Sequence, residues 1–89
     1  MRQKQQKLVF SGHAQQRADA RQINLSPQLL SQMDKAVEMA KDKGIRDALI
    51  VRDKTAFIVN VPSSTVVTVL GGEEMNSRVF SNIDGAVIL

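Results

Sequence analysis

GIRDALIVRDKTAFIVNVPSSTVVTVL, residues 44–70, decides the class of fold. Its short runs, Ala48 to Val51, Thr55 to Val61 and Thr65 to Leu70, are rich in Val, Ile, Thr and Phe, whose branched or planar side chains suit a pleated surface. The polar triplets Arg52-Asp53-Lys54 and Pro62-Ser63-Ser64 stand between them, with the composition of turns. The pattern predicts an antiparallel meander. Phe57, Val59 and Val61 alternate with Ala56, Ile58 and Asn60, so one face of the sheet is strongly apolar and needs a cover.

Upstream, two helices are predicted to supply it. Residues 11–22 have Ser11 as N-cap and Ala14, Ala18 and Ala20 as helix formers. The second helix has Ser26 as cap and Pro27 at the first helical position, where its missing N–H costs nothing; Gly44 closes it after Lys41 and Lys43. Leu29, Met33, Val37 and Ala40, widened by Leu30 and Ala36, make one apolar stripe, with Gln28, Gln32, Lys35 and Asp42 toward water. Downstream, Gly71-Gly72 breaks the sheet and Glu73 to Phe80 reads as one more helical turn, with Met75, Val79 and Phe80 as its apolar contacts. Asn82-Ile83-Asp84-Gly85 then turns the chain into Ala86-Val87-Ile88-Leu89. That apolar run either makes a fourth strand beside the meander or stays exposed and pairs with a partner. The expected fold is α+β: two N-terminal helices packed on a three- to four-stranded, mainly antiparallel sheet with a C-terminal apolar strand.

At 89 residues the chain holds one domain, expected over residues 8–89, with residues 1–7 as a basic disordered lead. The net charge of +3 is uneven: Arg2, Lys4, Lys7, Arg17 and Arg21 face only Asp19 within the first 21 residues, which leaves a slight acidic excess in the rest. With three Phe and no Trp or Tyr, the core must be aliphatic. The absence of Cys excludes a disulfide scaffold and a thiol nucleophile and fits a reducing compartment. The start lacks the apolar run of about 7 to 15 residues that a signal peptide needs. No stretch of about 18 apolar residues occurs, so membrane insertion is not expected and the chain reads as cytoplasmic.

His13, Arg17 and Arg21 are the residues with most chemical potential. Spaced four apart on a helix, they drift only about 40° per step and form one stripe. An imidazole beside two guanidiniums suits a metal-independent ribonuclease, with His as acid or base and Arg steadying phosphate charge. Such a site needs a second proton-transfer group, and with one His and no Tyr only Glu38, Glu73 or Glu74 remain. The plainer reading pairs Arg17 and Arg21 with Asp34 and Glu38 of the second helix. Asp42, Asp47, Asp53 and Asp84 fall into no metal-ligand spacing, so no metal and no cofactor is expected. Gly71-Gly72-Glu73-Glu74 lacks the Lys-Ser/Thr of a phosphate loop.

Taken together, FSGHAQQRADARQINLS (10–26), AVEMAKDKGIRDALIV (36–51), AFIVNV (56–61), TVVTVL (65–70) and VFSNIDGAVIL (79–89) resemble the small family of putative flagellar operon proteins encoded beside hook-cap and hook genes. The most specific parts are the opening Phe10, Ser11, His13, Ala14, Arg17, Arg21, Ile23 and the ending Val79, Phe80, Asn82, Ile83, Asp84, Gly85, Ala86, Val87, Ile88. The resemblance implies a bacterial cytoplasmic factor serving flagellar hook and rod assembly or export at the flagellar base, acting by protein binding, and it lends no catalytic residues.

Two functions follow from these readings. One is a non-enzymatic binding module that contacts a hook, hook-cap or export component through a sheet edge or the strip between the first helix and the tail, with His13, Arg17, Arg21, Asn82, Ile83, Asp84, Gly85, Val87 and Ile88 as contact candidates. The other is an RNA-binding or ribonuclease-like domain using the His13, Arg17, Arg21 face, with nucleic acid the less favoured partner. A homodimer through an edge strand is a third arrangement that sequence leaves open.

Overall fold

The computed structural model describes residues 8–72 and 83–89. The basic lead 1–7, the expected helical turn over 73–80 and the candidate Asn82 lie outside the described residues. The elements run β1 (Val9–Phe10), α1 (Gly12–Ala20), α2 (Pro27–Asp42), β2 (Asp47–Arg52), β3 (Thr55–Asn60), β4 (Thr65–Gly71) and β5 (Gly85–Ile88).

Both helices begin where the sequence signals them. Ser11 Oγ accepts the Ala14 N–H, and Ser26 Oγ accepts that of Leu29. Both close by the same device, in which a residue at positive φ turns the chain and its own N–H and that of the next residue satisfy the last carbonyls. At α2 it is Gly44, φ 75, with Gly44 N–H to Lys41 O at 3.1 Å and Ile45 N–H to Ala40 O at 2.9 Å. At α1 it is Gln22, φ 55, with bonds to Asp19 O and Ala18 O. No sequence signal marked that stop, because a glutamine is not the residue usually found there.

The sheet order is β1-β4-β3-β2-β5. The meander β2-β3-β4 is antiparallel as expected, and a two-residue turn at Asp53-Lys54 joins β2 to β3, with Asp53 at φ 54. The edges correct the expectation. The fold is α+β, but the sheet is five-stranded and mixed, because β1 lies parallel to β4 and β5 parallel to β2. The helices are also not strictly N-terminal, since β1 precedes them. A two-residue strand carries too little periodicity to be read from sequence.

The core lies between the helices and one face of the sheet. Leu29, Met33, Ala36, Val37 and Ala40 of α2 pack with Ala48, Ile50, Phe57, Val59, Val66 and Val69 of the strands. Each fully buried Leu, Val or Met contributes about 1.5–3 kcal/mol. On β4 the buried Val66 and Val69 are three apart rather than two, and a bulge accounts for it. Ile58 pairs with Thr68 and Val59 with Val66, so Val67 has no partner on β3 and is exposed. The extra residue restores the inward direction of the next valine.

A Cβ on Gly44 would meet nothing within 4 Å, so only its positive φ requires glycine. Gly44→Ala is therefore expected to cost about 1 kcal/mol, seen as a Tm drop of about 4–8 °C without change in the circular dichroism spectrum.

Candidate functional site

The sequence singles out two groups of residues, one on α1 and one around β5. The structure places them at opposite edges of the sheet, since α1 packs on β4 and β1, while β5 lies beyond β3 and β2. Three strand spacings, about 14 Å, separate β4 from β5. Among the described residues, the first helix and the tail therefore share no strip.

On α1, His13 is exposed and has no hydrogen-bond partner among the described residues. Arg17 is half-buried, and its Nε donates to Val69 O at 2.6 Å. Arg21 is exposed and forms the helix C-cap, its N–H bonded to Arg17 O. The Arg17 bond belongs to a larger pattern. β1 covers only Thr65 and Val66 of β4, and past it the carbonyls on the outer side of β4 are taken by α1 and its N-cap: Ser11 N–H to Val66 O at 3.0 Å, Ser11 Oγ to Val67 O at 3.1 Å, and Arg17 to Val69 O. Arg17 thus fixes a helix to a strand edge. This bond, spanning 52 residues of chain, has no local signal in the sequence.

Around β5 the chain is held by its own turn. The Asp84 carboxylate Oδ2 accepts the N–H groups of both Arg46 and Asp47 at 3.3 Å, and Asp84 N–H donates to Asp47 O at 2.9 Å. Gly85 then passes close to Ile45, where a Cβ would lie 2.7 Å from Cδ1 and 3.3 Å from Cγ1. Ile83 is half-buried and Val87 packs on the core. Ile88 points away, 72% exposed. The apolar tail is therefore an edge strand with one side facing the core and the other open.

One carboxylate is electrostatically unusual. Asp34 Oδ1 on α2 is buried without a hydrogen-bond partner, and this burial, followed by the nearby Glu38 charge, raises the Asp34 carboxyl above its ordinary 3.8. The described residues hold no cluster of three or more His, Asp or Glu fit for a metal, and no helix among them is long and apolar enough to cross a membrane.

One comparison with known proteins reaches the β5 group. A family model described as putative flagellar matches residues 65–88. The flagellar match begins with the first residue of β4 and ends with the last of β5. It bears out the resemblance over that quarter or so of the chain, including the ending Val79 to Ile88, while the opening Phe10 to Ile23 lies outside it. Within the matched segment, Asp84 and Gly85 are the residues that seat β5 on β2. The chain matches no curated protein and no solved structure.

Arg17→Met removes the donor and keeps most of the stem, and is expected to cost about 1.5–3 kcal/mol in urea unfolding, whereas His13→Ala changes stability by less than about 0.5. For Asp34, the folded chain holds the proton more tightly than the unfolded one. The neutral form's contribution to stability is thus present below 3.8 and is lost as pH rises through the raised folded value. Asp34→Asn should melt higher than the parent at pH 7, with the gap closing as the pH is lowered toward 3.

Proposed function

We propose that this chain is a non-enzymatic, cytoplasmic protein-binding factor of the bacterial flagellum, acting in hook and rod assembly or export, and that β5 is the edge on which its partner pairs. The observation that carries the reading is the flagellar match over residues 65–88, which ends on an edge strand whose outward residue, Ile88, is 72% exposed. An edge strand offers unpaired main-chain N–H and C=O groups, and a partner strand added there gains hydrogen bonds while alternate side chains set specificity. Natural sheets blunt such edges with Lys, Pro or a bulge. The other edge is blunted, by α1 and the short β1, whereas Gly85-Ala86-Val87-Ile88 carries no charge and no proline.

The ribonuclease-like alternative draws less support. One of its three residues, Arg17, spends its Nε on a main-chain carbonyl, and His13 stands exposed with no hydrogen-bonded proton-transfer partner among the described residues.

The test presents the full chain and Ile88→Lys to purified hook, hook-cap and export components. The parent is expected to capture one of them and Ile88→Lys to bind it at least about tenfold more weakly with an unchanged melting curve. Equal binding by both, or capture of none, overturns the reading. A dimer of the parent that Ile88→Lys dissociates would assign the edge to self-pairing instead.

A further inference from the structure

Two cavities, of about 350 Å³ and about 520 Å³, open where the α1–α2 connection faces the β2–β3 hairpin. They share Arg21, Ile23 and Thr55, and so form two stretches of one groove, running from Ser26 at the start of α2 to Gly71-Gly72 at the end of β4. Cations stand along its length: Arg52 lines the first stretch, Lys54 the second and Arg21 both, against one carboxylate among the described lining residues, Asp53. The side chains of Arg52 and Lys54 are exposed, with no hydrogen-bond or ion partner among the described residues. The floor is apolar, made by Ile23, Leu29 and Phe57.

The walls are pre-set. Arg21 is held by the closure of α1 at Gln22, and Arg52 and Lys54 flank the tight hairpin turn at Asp53. A site whose main chain is already fixed spends little entropy in ordering itself around a ligand.

We propose that this groove docks an extended acidic peptide segment of a protein partner, with carboxylates meeting Arg52 and Lys54 and an apolar side chain over Ile23. Charge complementarity selects an anion, and a guanidinium binds carboxylate through two parallel hydrogen bonds. The length of the groove suits an extended chain better than a single small ion. Single-stranded nucleic acid is disfavoured because its bases need exposed aromatic faces to stack on, and of the described lining residues the one aromatic ring, Phe57, is buried. The groove contains no residue of β5, so this inference stands apart from the β5 reading.

The test titrates the full chain into a fluorescein-labelled hexaglutamate peptide, its hexaglutamine counterpart and a single-stranded oligouridine, followed by anisotropy, with amide NMR shifts to map the contact. Hexaglutamate is expected to bind, hexaglutamine at least about tenfold more weakly, and the amides of Ile23, Thr55 and Gly72 to shift. The double variant Arg52→Gln, Lys54→Gln should lose at least about tenfold in affinity, while Lys41→Gln, Lys43→Gln, with the same charge change away from the groove, should not. Equal loss in both double variants would reduce the effect to net charge and overturn the proposal. So would shifts confined to other residues, or oligouridine binding with the same dependence on Arg52 and Lys54. Ile88→Lys should keep full hexaglutamate affinity, which separates failure of the groove from failure of the β5 edge.

Discussion

The structure depends on satisfying the outer carbonyls of β4. A seven-residue strand meets only two residues of β1, and main-chain polar groups left buried without a partner are costly. Ser11 and Arg17 supply the missing donors, to Val66, Val67 and Val69. That need sets where α1 lies, close enough to the sheet that its inward positions, Ala14 and Ala18, are alanines with almost no exposed surface. With α1 fixed, its closure at Gln22 aims the chain toward Ser26 and the start of α2, whose apolar stripe then covers the rest of the sheet.

At the opposite edge the same accounting is solved by a carboxylate. Asp84 takes two N–H groups at the start of β2, and Gly85 lets the chain pass against Ile45, so β5 enters parallel to β2 in a fixed register. The two edges differ in what they leave behind. One ends in side chains bonded to its carbonyls, and the other in an uncharged strand with an isoleucine turned outward.

How much of this was legible in the sequence depends on how far each interaction reaches along the chain. The caps at Ser11 and Ser26, the glycine closure at Gly44, the stripe of α2 and the three meander strands rest on contacts within a few residues, and all were readable. The strand at Ala86-Val87-Ile88 could be stated as one of two alternatives but not oriented. Arg17 bonding to Val69, Ser11 to Val67 and Asp84 to Arg46 join residues 52, 56 and 38 positions apart, and no local pattern encodes them. For the candidate site, sequence named Asp84, Gly85 and Ile88 together, whereas their division into anchoring and outward-facing residues needed the register of β5 on β2. The groove at Arg52 and Lys54 escaped notice because those residues read simply as a polar turn.

The arrangement of near and distant contacts also orders the assembly of the sheet. The hairpins β2-β3 and β3-β4 close short loops, so the meander is the part that forms at low entropic cost, whereas both outer strands must return from far along the chain. β5 is four residues long and, among the described residues, is joined to the body along one side and held by its ladder to β2, by Asp84 and by Val87. A strand so placed is expected to open locally before the meander does. Its amides should exchange with solvent well before those of β3, so the edge offered to a partner strand is also the part of the sheet that yields first.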